Sequence, residues 1–218
     1  MDERRLFSAA DEEAIRAAVA DAEQRSAGEV VPWIVEACDP YPEAGWKAAA
    51  LGALLGMALG AGAQLLAGAW GAALLWLALP ALAGGGVGLA LGQLAALKRW
   101  LVDDDVVEHR VRVAAEAAFV RGEVFATRER TGILIFLALL ERRVVVLGDA
   151  GINARVQPEE WQAIADEIVE GVRASRPAAA LAAGIEACGR LLAERGVPRH
   201  EDDVDELPDR PRFEGHRR

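Results

Sequence analysis

"AALGALLGMALGAGAQLLAGAWGAALLWLALPALAGGGVGLALGQLAAL", Ala49 to Leu97, carries no charged side chain. It lies in a chain of 218 residues whose formal net charge is -10. The hydrophobic content of 53% is concentrated rather than spread, because every residue from 48 to 97, between Lys47 and Lys98, is uncharged. The flanks on either side are as rich in charge as a soluble domain. A bilayer core about 30 Å thick takes about 20 residues of helix. The block is too long for one crossing and fits two with a tight turn, which predicts helices near 48–68 and 73–97 turning at Trp70 to Ala73.

Both outer ends of the block carry the same signature. Trp46 and Lys47 lead in; Lys98, Arg99 and Trp100 lead out. Tryptophan favours the headgroup layer, and Lys and Arg near span ends favour the cytoplasmic side. The turn is uncharged, and "MDERRLFSAADEEAIRAAV" at the start has no apolar core of signal-peptide type. The expectation is a two-span protein of the inner (cytoplasmic) membrane, with both termini cytoplasmic and lipid as its first partner.

Glycines read as the seam between the helices, with a homodimer interface or a merely glycine-rich composition as the alternatives. Gly52, Gly56 and Gly60 repeat at four-residue spacing in the first helix, and Gly84, Gly88 and Gly92 in the second. Small residues let helix backbones approach closely in lipid. A hairpin folded about residue 72 sets Gly52 level with Gly92, Gly56 with Gly88 and Gly60 with Gly84. No Asp, Glu, Lys, Arg or His lies within the spans. Transport paths and proton relays use such residues, so the pair reads as an anchor.

Composition excludes other classes. An acidic excess argues against nucleic acid as a partner. Cys38 and Cys188 stand apart and belong to no CxxC or Cys/His cluster, so they read as small buried thiols rather than a metal or redox pair.

The charged flanks read as one interrupted domain. Ser8 can cap a helix over 9–26, with Asp11 three positions on. "EVVPWIVEA", Glu29 to Ala37, reads as a strand, at an edge or bulged because Pro32 cannot donate to a ladder. After the block, a helix is expected to about Thr127. Two apolar runs follow, 132–140 and 143–148, broken at Glu141 and Arg142 with hairpin-like spacing. Runs apolar on both faces suit strands covered by helices. Pro158 and Pro177 each open a further helix. The flanks are too small to fold separately. The division is therefore 1–46, a first part of the domain; 47–99, the transmembrane hairpin; 100–198, the second part; and 199–218, a charged tail expected to be disordered.

Two segments carry a family resemblance: "AGEVVPWIVEACDPYPEAGW" from Ala27 and "TRERTGILIFLALLERRVVVLGDAGI" from Thr127. Together they resemble the TPM-domain family, most nearly its bacterial membrane group with a hydrophobic hairpin inserted in the domain. The resemblance implies an α/β fold, an α/β/α sandwich interrupted here by the two-helix transmembrane hairpin. It also implies two kinds of activity: acid phosphatases with a divalent-cation site in an acidic loop, and assembly or repair factors. The family's D-x-x-G-x-L lead-in is absent; "ERRLFSAAD" from Glu3 stands in its place.

In open α/β sheets ligands bind beyond the carboxyl ends of strands. Those ends are Asp39 after the first strand, and Asp149 and Asn153 after the third. If the two strands are parallel, Asp39 and Asp149 converge, and such oxygens suit Ca²⁺ or Mg²⁺. The alternative for Asp149 to Gly151 is an ordinary turn. Arg128 and Arg130 are candidates for binding phosphate, or for closing a helix and pairing with nearby carboxylates. Two readings of function stay open. One is a non-catalytic, membrane-tethered module for assembly or quality control, whose partner is another membrane protein. The other is a divalent-metal-dependent phosphatase using Asp39 and Asp149.

Overall fold

The computed structural model describes residues 7–67, 73–197 and 206–214. They divide into two compact units, Met1–Cys38 with Glu108–Arg218 in the first and Asp39–Val107 in the second. The turn expected at 70–72 lies outside the described residues.

The first unit opens with α1 (Ala9–Arg25). Ser8 Oγ accepts the Asp11 N–H at 3.2 Å while the Asp11 carboxylate accepts the Ser8 N–H at 2.8 Å. This reciprocal cap satisfies two N–H groups that a helix start otherwise leaves to water. Ile15, Ala18, Val19 and Ala22, at helical spacing, form its buried stripe. The later helices of this unit are α5 (Asp104–Arg121, from Glu108 on), α6 (Ala150–Asn153), α7 (Pro158–Arg173) and α8 (Pro177–Glu194). Pro158 and Pro177 open the last two, as expected of a residue whose missing N–H costs nothing at a helix start.

Among the described residues four strands form one mixed sheet: β1 (Glu29–Val35), β2 (Gly132–Ala138), β3 (Arg143–Gly148) and β4 (Arg212–Glu214). Their order across the sheet is β3-β2-β1-β4. β1 runs parallel to β2 from Glu29 beside Gly132 to Val35 beside Ala138. β2 and β3 form the expected antiparallel hairpin, Ala138 beside Arg143 and Ile133 beside Gly148. Side chains alternate across the pleat. Val30, Ile34, Ile133, Ile135, Leu137, Val144 and Val146 meet α1, α7 and α8 on one face. Val31, Trp33, Leu134 and Phe136 are buried on the other. The end of α5 closes over that second face, where a Cβ on Gly122 would stand 2.9 Å from the Trp33 ring. β1 and β2 are thus buried on both sides, which is why they read as continuous apolar runs.

Two expectations need correction here. Within the tail 199–218, expected without structure, residues 206–214 are ordered and include β4, whose Phe213 sits beside Ile34. The average composition is charged and proline-containing, but Leu207 is buried and Phe213 packs against the core. Single apolar anchors of this kind vanish in a window average. Pro32 gives the second correction. β1 is internal, yet β4 pairs with it only at 33–35. Glu29 donates to Thr131 and Val35 accepts from Leu139 on the β2 side, so by alternation the Pro32 nitrogen faces the other edge, where β4 has not yet begun and no ladder bond is lost.

The second unit holds α2 (Pro42–Ala67), α3 (Ala73–Leu91) and α4 (Ala95–Leu101). The first apolar helix starts six residues earlier than expected, and the second stops at Leu91 where 97 was expected, because Gly92 to Leu94 separate it from α4. α2 and α3 are long and apolar enough to cross a membrane. They pack antiparallel through the glycine seam, with a different register from the level pairing about residue 72. A Cβ on Gly52 would overlap the Gly84 carbonyl, one on Gly56 the Pro80 carbonyl, one on Gly60 the Trp76 carbonyl and one on Gly88 the Ala48 carbonyl. Gly92 meets Gly45, 2.8 Å from its Cα. All six glycines lie in the seam, each facing a residue about two turns from the one expected. The backbones have no room for a methyl group there. By contrast, Gly62 and Gly86 face open space.

Candidate functional site

The candidate site stands where β3 ends and β2 begins. Thr127 Oγ1 accepts the Thr131 N–H at 2.9 Å, and the Thr127 carbonyl accepts the Arg130 N–H at 3.2 Å. The turn so formed holds Arg130 at a φ of 58°, in the left-handed region. The Gly132 carbonyl then accepts the Asp149 N–H at 2.9 Å, and the Arg130 carbonyl accepts the Gly151 N–H at 3.0 Å. Gly151 lies so close to the Glu129 carbonyl that a Cβ has no place. This is the physical reason for glycine in "GDAGI".

Asp149 is the buried charge of this region, its side chain 5% exposed. Its Oδ2 accepts Arg130 Nε at 2.5 Å and its Oδ1 accepts Arg130 Nη2 at 2.9 Å. Oδ1 also accepts the Ala150 N–H at 2.7 Å, capping α6. The guanidinium is about half exposed and lies over the Phe125 ring, 5.9 Å from its centroid. Hydrogen bonding to Asp149 pushes the Arg130 pKa further up from its already high value. Planar two-point pairing of this sort is the strong form of the ionic hydrogen bond.

Asn153 is turned elsewhere. Its Oδ1 accepts Trp161 Nε1 at 3.2 Å and its Nδ2 donates to the Gly148 carbonyl at 2.5 Å. The side-chain oxygens of Asp149 and Asn153 therefore face hydrogen-bond donors. Among the described residues no group of three or more His, Cys, Asp or Glu is placed to hold a metal ion. The arrangement does not fit a divalent cation.

The end of β1 that leads to Asp39 is not the sheet end that holds Asp149. β1 is parallel to β2 and β2 antiparallel to β3, so β1 and β3 run in opposite directions. The chain leaves β1 through Cys38, whose N–H is accepted by Glu141 Oε1 at 2.8 Å in the β2–β3 turn. That is the sheet end opposite Asp149. In the second unit Asp39 Oδ1 accepts the Tyr41 N–H at 2.7 Å, closing the turn into α2.

The Arg128 backbone N–H goes to Glu206 Oε2 at 2.9 Å. Glu206 belongs to a set that the sequence did not reveal. Glu29, buried at the start of β1, accepts the N–H groups of Glu206 and Leu207, each at 3.3 Å. At the other end of the same edge, Arg121 and Arg212 lie over the Trp33 ring at 5.6 and 5.4 Å. Glu214 accepts Trp33 Nε1 at 3.2 Å and both Arg121 Nη groups at 2.7 and 3.0 Å. Only partners separated by 181 and 93 residues make this cluster, and no local pattern announces it.

The flanks of the apolar helices are tied within the second unit. Lys47 Nζ donates to the Leu101 carbonyl at 2.8 Å and pairs with Asp103 at 3.2 Å. Lys98 Nζ donates to the Pro40 carbonyl at 2.8 Å. Trp46 and Trp100 are exposed, as is Arg99.

Residues 105–191 match the family model of the TPM domain. No curated protein matches the chain. Among solved structures, the NMR structure of the BA42 protein from the psychrophilic bacterium Bizionia argentinensis is similar, with a TM-score of 0.59 and 20% identity over 95% of each chain. At that identity the likeness is one of fold. The family match and the shared fold agree: residues 105–191 are similar to the TPM domain, and the chain has the fold of BA42.

Proposed function

We propose that this protein is a membrane-anchored TPM-domain module that acts by binding, not by catalysis, in the assembly or quality control of another membrane protein. The observation that carries the reading is the state of Asp149. Both of its oxygens are filled by Arg130 and one also by the Ala150 N–H. A phosphate would meet a guanidinium already neutralised by a carboxylate, and a cation would have to compete with the guanidinium for that carboxylate.

The anchor is supported by the surface of α2 and α3. Leu54, Leu55, Leu59, Leu65, Leu66, Leu74, Leu79 and Leu82 are all more than half exposed. Water penalises such surface and lipid does not. The inner membrane, with both soluble parts on its cytoplasmic side, fits Lys47, Lys98 and Arg99 at the outer helix ends and the uncharged segment between the helices.

The rival reading is the metal-dependent phosphatase. The test is the full chain in detergent, given an aryl phosphate with Ca²⁺, Mg²⁺ or Mn²⁺. The expected outcome is no turnover above that of the Asp149→Asn chain. Turnover that is lost in both Asp39→Asn and Asp149→Asn would establish the phosphatase instead. Reporter fusions at residues 1, 70–72 and 218 check the topology. Both termini are expected on the cytoplasmic side and the 70–72 fusion on the other.

A further inference from the structure

The segment 206–214 runs along the β1 edge of the sheet in the direction of β1, from the Glu29 carboxylate to Val35. Its hold is uneven. β2 pairs with β1 over seven positions, whereas β4 pairs over three, all only partly buried. Between the two ends passes the level of Pro32, which offers no N–H. Short ladders with partly exposed side chains lie at the low end of local stability. Beneath the segment lies a groove with two distinct receptors. Phe213 enters the face of the sheet shared with α1 and α8, edge-on to Phe7 with ring centroids 5.6 Å apart. One residue on, across the pleat, Glu214 meets one indole N–H and a two-point guanidinium.

We propose that this β1 edge is a docking groove for an extended segment of a partner protein, occupied in cis by residues 206–214. The partner segment adds parallel to β1. It carries an aromatic residue followed directly by an acidic one, because the two receptors sit on opposite faces one residue apart. Strand addition supplies main-chain affinity and alternate pockets supply specificity. Tethering gives the chain's own segment a high effective concentration, so it acts as a latch that a partner must outcompete. Release uncovers Trp33, otherwise 8% exposed, and the Arg121 fork. The inference rests on the binding-module reading and names the surface that module uses.

The test keeps every residue of the protein. A protease site is placed within 198–205 of the full chain in detergent, and the linker is cut in place. A labelled peptide with the sequence of Glu206–Glu214, "ELPDRPRFE", is then offered. The cut chain is expected to exchange its own segment for the probe. The uncut chain should bind the probe at least about tenfold more weakly. Probes with Phe→Ala, or with the final Glu→Arg, should bind the cut chain at least about tenfold more weakly than the parent probe. Arg121→Ala in the cut chain should reduce the preference for the acidic end, leaving the share held by the Trp33 indole, and leave the preference for the aromatic unchanged. A segment that never exchanges, equal binding by cut and uncut chains, or equal binding of all probes overturns the proposal. Dimers that trade segments between copies would assign the groove to a second copy and overturn the partner-protein occupant. None of these outcomes bears on the phosphatase assay, so the groove and the module reading fail separately.

Discussion

Asp149 stands in a demanding position, a nearly buried carboxylate that also caps a helix. Arg130→Ala removes the cation and leaves that charge without it. Because the guanidinium is half in water, the full penalty of a buried pair does not apply, and a modest loss of stability is expected. The measurement is the midpoint of thermal unfolding, expected lower in Arg130→Ala than in the parent chain. Ser8 and Asp11 give a second case. Ser8→Ala should cost about 1 kcal/mol, the usual worth of an N-cap. The Asp11 carboxyl is held below its ordinary 3.8, first by the Ser8 backbone N–H and then by the Ser8 hydroxyl. A depressed acid contributes stability above its unfolded value and loses it as pH falls through the folded one. The stability gap between the parent chain and Asp11→Asn should therefore be full above pH 3.8 and close as the pH drops below it, as measured by unfolding across the acid range. The cap was legible because its partners lie three residues apart. Arg130 with Asp149 was legible only as two alternatives, since the pairing depends on a turn that brings residues 19 apart together.

At the scale of elements, the sequence marked the long helices and the β2–β3 hairpin, where periodicity, proline starts and apolar runs are local signals. It missed α6, four residues long, and β4, three residues long. Both are too short to have a period. The glycine seam was legible as a surface but not as a register. A stripe repeating every four residues looks nearly the same after sliding by a turn, so several alignments are equivalent on paper. The structure selects one, and cysteine pairs can check it. A Cβ on Gly85 would lie 3.5 Å from Ala53 Cβ, within reach of a disulfide. Ala53→Cys with Gly85→Cys should cross-link under mild oxidation. Ala53→Cys with Leu91→Cys, level if the helices folded about residue 72, should not. Efficient cross-linking of the second pair alone would refute the register.

For the whole molecule, the decisive fact is that β1 belongs to the same sheet as strands encoded after the apolar helices. That the flanks close into one domain could be argued from size, since neither holds enough strands alone. Strand direction could not be. The convergence of Asp39 with Asp149 required β1 and β3 to be parallel, and nothing local fixes the orientation of a strand that returns from an insertion. Replacing residues 39–107 by a short flexible linker should give a water-soluble protein that unfolds in one transition. The isolated piece 108–218 should not fold, because it lacks β1 and α1. Solubility and a cooperative melt of the first variant, and their absence in the second, are the measurements. The same arrangement has a consequence for biosynthesis. β1 waits for β2 across 103 positions, from Glu29 to Gly132. At about 5–20 residues per second, the ribosome takes roughly 5–20 seconds to cover that gap. Both apolar helices emerge within the interval, ahead of the strand that completes the domain. The newborn chain meanwhile exposes a seven-residue apolar strand, and Pro32 in its middle discourages ladder pairing with neighbouring nascent chains.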